Sequence, residues 1–173
     1  LELEEIVPLS IIICDVNGLK LINDTMGHAQ GDRIISIMGS ILQEISIPEY
    51  VTARIGGDEF AVIMPRVDEI KVGTTKTRIQ NMINQINKND EGIYLSVAIG
   101  SFTRSSVEQP LDIVVRNADN AMYRAKLFEQ MSARNNILRT LESTLSVRDH
   151  MTEEHAERMK EMAMGFGRII DVS

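Results

Sequence analysis

Residues 54–65 read RIGGDEFAVIMP, and this stretch decides how the rest of the chain is interpreted. Apolar runs lie on both sides of the pair Gly56-Gly57, YVTARI before it and FAVIMP after it. A glycine pair between two such runs is typical of a β-hairpin, because glycine adopts the positive φ angles that two-residue turns require. We therefore predict strands over Tyr50–Ile55 and Glu59–Met64, with two adjacent acids at the tip of the hairpin.

The segments on either side of the hairpin predict an alternation of strands and helices. Short apolar runs favour two further strands, Leu9–Val16 and Tyr94–Phe102. Apolar residues at helical spacing predict helices over Gly18–Met26, His28–Ser46, Glu69–Asn87 and from Leu111 onward. The order β-α-α-β-β-α-β-α predicts an α+β fold of ferredoxin-like or palm type. Its central sheet contains antiparallel strands and is flanked by helices, with a C-terminal helical extension.

Composition narrows the class of protein. The chain has 173 residues, of which 43% are hydrophobic, and a net charge of −7, which disfavours a nucleic acid as the main partner. No apolar run reaches the ~18 residues of a membrane span, so we expect no direct membrane contact in this fragment and a cytoplasmic location. The chain starts at Leu1, and we interpret it as a piece of a longer protein that could be anchored upstream. The single cysteine, Cys14, lies in an apolar run and is predicted to be a buried thiol.

Three acids form a candidate metal site. Asp15 ends the first predicted strand, and Asp58 and Glu59 follow the hairpin turn. If the first strand lies beside the hairpin, these carboxylates meet at one edge of the sheet. Few carboxylates, completed by water and phosphate, are typical of a Mg²⁺–nucleotide site. The alternative is that they are ordinary solvated acids at turns.

A second group of polar residues lies in residues 15–32, DVNGLKLINDTMGHAQGD. Lys20 could bind a phosphate oxygen, and Asn23 and Asp32 carry the amide and carboxylate that suit the donor edge of guanine. His28 and Asp32 are four residues apart and can share a helix face. The alternative for His28 is a simple polar residue at the start of a helix.

Other nucleotide and metal motifs do not match. The chain has no GxxxxGK[ST] loop and no GxGxxG, which disfavours Walker-type NTPases and dinucleotide-binding domains. Residues 15–18, DVNG, have the glycine two positions too early for a calcium loop, and no glutamate follows at the twelfth position.

Three separated motifs, RIGGDEF, DVNGLKLINDTMGHAQGD and ADNAMYRAK, together resemble the GGDEF family of diguanylate cyclases over about residues 6–130. The resemblance implies a palm-like domain that binds GTP with Mg²⁺ or Mn²⁺. It also implies a homodimer in which the 3′-hydroxyl of each GTP attacks the α-phosphate of the other, giving cyclic di-GMP and pyrophosphate.

The same resemblance implies a role for individual residues. The implied metal ligands are Asp15, the Val16 carbonyl, Asp58 and, for a second ion, Glu59. Asp58 also matches the proton acceptor, and Lys20 matches a residue that stabilises the transition state at the phosphate. The residues implied to bind substrate are Asn23 and Asp32 at guanine, His28 near the substrate, and Lys126 at the triphosphate.

The chain departs from the family pattern at several positions. Asn17 replaces an acid and Leu19 replaces a phenylalanine. Glu129 stands where a glycine is expected, and Gln130 where an arginine binds the triphosphate. Losing one charge-assisted contact weakens binding about 10- to 100-fold, so we expect impaired turnover. Residues 47–50 read IPEY instead of RxxD, which predicts no product inhibition through that site.

The C-terminal part of the chain resembles the start of a second domain. We predict a GGDEF domain over residues 1–130 with its N-terminal lead-in trimmed, a helical linker over 131–151, and a truncated HD-GYP-like phosphodiesterase domain over 152–173. In that last segment His155 matches a metal ligand. Three functions stay open: an active cyclase, a weak or inactive GTP-binding domain that regulates an attached HD-GYP phosphodiesterase, and a dimerisation role for the long helix.

Overall fold

The computed structural model describes residues 5–89, 94–131 and 160–161. The elements run in the order β1 (Leu9–Val16), α1 (Leu19–Met26), α2 (His28–Ile45), β2 (Val51–Arg54), β3 (Glu59–Pro65), α3 (Glu69–Asn89) and β4 (Val97–Arg104). A further helix, α4, covers residues 111–131, where this described range ends. The predicted β-α-α-β-β-α-β-α order is confirmed.

The four strands form one sheet in the order β2-β3-β1-β4. Within the described residues β1 is antiparallel to both of its neighbours, and β2 is antiparallel to β3. All eight residues of β1 are buried, as expected for a central strand covered on both faces. The predicted α+β fold is confirmed, and the first strand does lie beside the hairpin.

Helices cover both faces of the sheet. One cluster joins alternate residues of β1, Ile12, Cys14 and Val16, to α2 and α3, whose fully buried side chains include Ile34, Met38, Leu42, Ile79 and Ile83. The opposite face joins Ile11, Ile13 and Ala98 to α4 through Val114, Ala118 and Met122. Each fully buried aliphatic side chain contributes about 1.5–3 kcal/mol of transfer free energy. The side chains of β1 therefore alternate between two helical layers.

The fourth strand starts later than the sequence predicted. The prediction placed its first residue at Tyr94, whereas β4 begins at Val97. The side chain of Asn87, in α3, accepts a hydrogen bond from the Leu95 N–H and donates one to the Leu95 carbonyl, both at 2.8 Å. Because these contacts occupy the backbone groups of Leu95, this residue lies outside the ladder with β1.

The hairpin exists, but its predicted turn is wrong. The loop covers residues 55–58, and the Ile55 N–H donates to the Glu59 carbonyl at 2.9 Å. Neither Gly56 nor Gly57 has a φ angle in the positive region. The Arg54 guanidinium instead closes the loop by donating to the carbonyls of Gly56 (3.2 Å) and Gly57 (2.6 Å). A side chain, rather than left-handed glycines, therefore holds this turn.

The C-terminal predictions lie mostly outside the described residues. The chain divides into a compact unit of residues 1–129 and a second unit of residues 130–173. Of the predicted linker and HD-GYP-like segment, only residues 131, 160 and 161 are described, and His155 is not among them. None of the described helices combines the length and the apolar character that crossing a membrane requires.

Candidate active site at the edge of the sheet

The three candidate acids lie together at one edge of the sheet. Asp15, near the end of β1, is the register partner of Glu59, the first residue of β3. Directly paired residues of an antiparallel ladder point to the same face of the sheet, so these two side chains share a face. The next residue, Val16, donates its N–H to the Asp58 carbonyl at 2.9 Å. The convergence predicted from the hairpin is therefore present in the backbone pairing.

The carboxylate of Asp15 is bound by a lysine from α4. Lys126 Nζ lies 2.7 Å from Oδ1 and 2.8 Å from Oδ2 of Asp15. The Asp15 side chain is only 6% exposed and the Lys126 side chain 28% exposed. A carboxylate buried to this extent needs a charged or hydrogen-bonding partner, because burying an isolated charge is costly. Lys126 supplies it.

Helix α4 positions this lysine through its spacing. Val114, Ala118 and Met122 follow each other at intervals of four and pack on the sheet. Lys126 is the next residue of the same series, so it lies on the same helix face. The apolar contact of α4 with the sheet thus ends in an ion pair at the sheet edge.

Glycine at position 56 makes room for the second acid. A Cβ atom there would lie 2.7 Å from Oε2 of Glu59, closer than two such atoms can approach. The Glu59 carboxylate therefore lies against the turn, and a larger residue at position 56 would push it away. Both Asp58 and Glu59 are half-buried.

These residues fit a divalent cation that arrives with phosphate. In the described part of the chain, no three His, Cys, Asp or Glu side chains are grouped closely enough to hold a metal ion by themselves. Mg²⁺ is usually bound through one or two carboxylates, with water and substrate phosphates completing its octahedron. Asp15, Asp58 and Glu59 offer this kind of oxygen at one edge of the sheet.

The candidate substrate residues lie on α1 and α2. Asn23 is half-buried in α1, and its Oδ1 atom is buried without a hydrogen-bond partner among the described residues. Oδ1 packs against Gly31 of α2, where a Cβ atom would lie 1.9 Å from it. Lys20, His28 and Asp32 are exposed on these two helices. A buried amide oxygen without a partner is uncommon, and a ligand could reach this one only if the Asn23 side chain turned away from Gly31.

One hydrogen-bonded group was not predicted from the sequence. The Asn17 amide nitrogen donates to Oε2 of Glu129 at 2.7 Å and to the Ser96 hydroxyl at 2.9 Å. The Ser96 hydroxyl in turn donates to the same Glu129 oxygen at 3.3 Å. The signal in the sequence is that Asn17 and Glu129 both depart from the family pattern, but nothing in the sequence shows that the two residues are in contact. Ser96 gave no signal.

Comparison with known proteins agrees with this architecture. Residues 3–132 match the family described as "Diguanylate cyclase, GGDEF domain". A Streptomyces griseus protein named "Uncharacterized protein in hutH 5′region" is 37% identical over 120 residues, covering 68% of this chain and 49% of that protein. The diguanylate cyclase DosC of Escherichia coli K12 is 33% identical over 123 residues, covering 69% of this chain and 26% of that protein.

The fold is also similar to that of solved GGDEF domains. The GGDEF domain of DgcB from Caulobacter crescentus, solved in complex with c-di-GMP, superposes with a TM-score of 0.62 at 29% identity. The match covers 68% of this chain and 71% of that one. This chain spans about half or less of the length of the two curated relatives. With a family match over residues 3–132, the chain belongs to the GGDEF-domain family of diguanylate cyclases.

Proposed function

We propose that this domain condenses two molecules of GTP to cyclic di-GMP and pyrophosphate, with Mg²⁺ or Mn²⁺ and as a homodimer. The observation that carries the proposal is the buried Asp15 carboxylate, paired with Lys126 at the edge where Val16, Asp58 and Glu59 meet. A carboxylate and an ammonium group 111 residues apart in the chain are thereby brought to the place where a metal-bound triphosphate would need both.

In this proposal Lys126 exchanges partners when substrate binds. Its ammonium group contacts both oxygens of Asp15 in the structure. A triphosphate offers a stronger anionic partner, and moving Lys126 to it releases the Asp15 carboxylate for the cation that accompanies the nucleotide. We therefore expect metal and nucleotide to bind more tightly together than either does alone, which titrations of each with and without the other would measure.

The remaining residues divide the work of recognition and chemistry. Asn23 and Asp32 bind the guanine, with His28 nearby, and Lys20 and Lys126 bind the phosphates. A bound divalent cation would neutralise charge on the reacting phosphate. Asp58 accepts the proton of the 3′-hydroxyl as its oxygen bonds to the α-phosphorus of the other GTP and pyrophosphate leaves. The same reaction between the 3′-hydroxyl of the second nucleotide and the α-phosphate of the first closes the ring.

The direct test is turnover by concentrated protein with GTP and Mg²⁺. Cyclic di-GMP and pyrophosphate should form, and Asp58→Ala should lower the rate about 100-fold or more because a general base contributes on that scale. Asp119→Ala is a matched control, since it removes an exposed carboxylate from α4. Equal rates for the two variants would contradict the role of Asp58.

A second candidate is a domain that binds GTP without turning it over and regulates an attached HD-GYP phosphodiesterase. It is favoured by Gln130, an exposed neutral residue of α4 where the family carries a triphosphate-binding arginine. Clear GTP binding with no product would support it. In that case Gln130→Arg should restore turnover.

A further inference from the structure

The end of β1 and the residue that follows it each contact α4. Asp15 pairs with Lys126, and two residues later Asn17 donates to Glu129 at 2.7 Å. Lys126 and Glu129 are three residues apart on α4 and so lie on neighbouring positions of one helix face. The two contacts lie on either side of Val16 in the sequence. The helix thus holds both sides of the residue whose carbonyl is a candidate metal ligand.

The second contact also involves the start of β4. The Asn17 backbone N–H donates to the Ser96 carbonyl at 2.9 Å, and the Ser96 hydroxyl contacts both Asn17 and Glu129. Three separate elements therefore meet at one carboxylate oxygen. Hydrogen bonds to an ionised acceptor are about twice as strong as those between neutral groups.

The identities of the two side chains depend on each other. Glu129 can only accept at its ionised carboxylate, so residue 17 has to present a donor, which the Asn17 amide does. An aspartate at position 17 would place a second carboxylate within hydrogen-bonding distance of Glu129, with the single proton of the Ser96 hydroxyl to share between them. These are also two of the positions at which the chain departs from the family pattern. The two departures are therefore compatible as a pair.

We propose that Glu129 is a positioning residue of the nucleotide site. Through Asn17 and Ser96 it holds the β1–α1 segment against α4, and so sets the spacing between Lys126 on the helix and Lys20, three residues beyond Asn17. Because these are the two cations assigned to the phosphates, the inference rests on the proposed function. Glu129 itself contacts neither substrate nor metal in this assignment.

If Glu129 has this role, its loss should lower the affinity for GTP but not the affinity for guanosine, which has no triphosphate. Glu129→Ala removes the acceptor, and GTP affinity should fall, by at most the roughly 10- to 100-fold that one hydrogen bond to a charged group is worth. Affinity for guanosine should stay unchanged, since Asn23 and Asp32 lie on α1 and α2. A purely structural role would change the two affinities together or neither of them.

Exchanging the donor and the acceptor gives the sharper test. Glu129→Gln keeps an acceptor oxygen for Asn17 and should retain most of the GTP affinity. Asn17→Asp opposes two carboxylates and should weaken GTP binding at least as much as Glu129→Ala. In the double variant, Asn17→Asp with Glu129→Gln, the glutamine amide donates to the new carboxylate. GTP affinity should then recover relative to Asn17→Asp alone.

The experiment is calorimetric titration of GTP and of guanosine into the whole chain in the presence of Ca²⁺, with melting temperature recorded for each variant. Recovery in the double variant, together with a loss confined to GTP in Glu129→Ala, supports the positioning role. Wild-type GTP affinity in Glu129→Ala overturns it, and so does a double variant no better than Asn17→Asp. If Asn17→Asp does not fold, the comparison of Glu129→Ala with Glu129→Gln decides by the same criteria. Failure of the wild type to bind GTP overturns the proposed function itself, a result distinct from unaffected variants of a protein that binds.

Discussion

At the scale of single residues, Gly31 should matter because of its neighbour rather than its backbone. A Cβ atom at this position would overlap Oδ1 of Asn23, at 1.9 Å, so Gly31→Ala has to displace the Asn23 side chain. If Asn23 binds guanine, GTP affinity should fall about 10-fold or more, the effect of losing a good hydrogen bond to the ligand. Isothermal titration with GTP measures this directly.

The same helix provides the control. Gly39, also in α2, has open space where a Cβ atom would be added. Gly39→Ala should stabilise the protein by about 0.5–1 kcal/mol through helix propensity and leave GTP affinity unchanged. Unchanged GTP affinity in Gly31→Ala would remove Asn23 from the binding site.

The buried thiol of Cys14 should make stability fall at alkaline pH. Burial raises the pKa of Cys14 from an ordinary 9.0 to about 12, an effect that nearby Lys76 partly opposes. Between those values the unfolded chain loses the thiol proton while the folded chain keeps it. The free energy of unfolding should therefore fall with rising pH by about 1.4 kcal/mol per unit, whereas below pH 9 the contribution is constant.

Cys14→Ala isolates this contribution from the lysines and tyrosines that also titrate there. Urea unfolding of both proteins from about pH 8 to about pH 11 gives two slopes, and the wild type should have the steeper one. The thiol should also resist alkylation in the folded protein, because the thiolate is the reacting species. Parallel slopes, or rapid alkylation, would show that Cys14 is not held neutral.

The sequence names individual acids and amides as candidates for the site, but it does not give their contacts. Asp15, Asp58 and Glu59 were recognised as candidates because they end or begin strands. The pairing of Asp15 with Lys126 joins residues 111 positions apart. This pairing depends on how far α4 is shifted and rotated on the sheet. The apolar spacing of α4 shows which face packs on the sheet but not which turn of the helix lies beside Asp15. The hydrogen bonds of Asn17 and Glu129 depend on the same rotation.

At the scale of elements, the helices and strands were predictable because their apolar periodicity is strong. The differences arise where a side chain replaces a backbone contact. The Asn87 side chain makes hydrogen bonds to the backbone of Leu95, and β4 begins only after that residue. The Arg54 side chain closes the hairpin loop, for which the sequence predicts a turn formed by the glycine pair. Local sequence patterns indicate backbone preference, so they cannot predict where a side-chain hydrogen bond replaces a backbone one.

At Gly100 the backbones of β4 and α4 lie too close together for a side chain. A Cβ atom at Gly100 would lie 2.0 Å from the Met122 nitrogen and 2.4 Å from the Ala118 carbonyl oxygen. These are backbone atoms, so Gly100→Ala has to move the helix away from the sheet. Urea unfolding should show a loss of about 1–3 kcal/mol or more, as for other overpacked cores.

The consequence should extend to the site, because the same helix carries Lys126. Gly100→Ala should therefore weaken GTP binding as well as stability. Ser101→Ala, whose side chain points to the opposite face of β4, is the matched control and should leave the GTP affinity unchanged. A Gly100→Ala protein with wild-type stability would mean that α4 does not pack this closely.

At the scale of the whole molecule, the candidate residues come from several elements. β1 and the β2–β3 hairpin carry the acids, α1 and α2 carry the candidate guanine-binding residues, and α4 brings a lysine to Asp15. In the proposed function this set of residues binds one GTP, so a second domain has to bring the 3′-hydroxyl of the other GTP to it. The proposed reaction therefore makes the dimer, rather than the domain, the catalytic unit.

This leads to a prediction that separates paired sites from independent ones. In the proposed reaction two phosphodiester bonds close the ring, and each domain activates one of them. In a dimer of one wild-type and one Asp58→Ala domain, one bond should form and the other should not. Wild-type protein mixed with a large excess of Asp58→Ala should consequently accumulate a linear dinucleotide that retains one triphosphate. The same excess of Asp119→Ala should leave cyclic di-GMP as the product. Chromatography of the nucleotides distinguishes these outcomes, and cyclic product at an undiminished rate with excess Asp58→Ala would show that each domain completes the reaction without its partner.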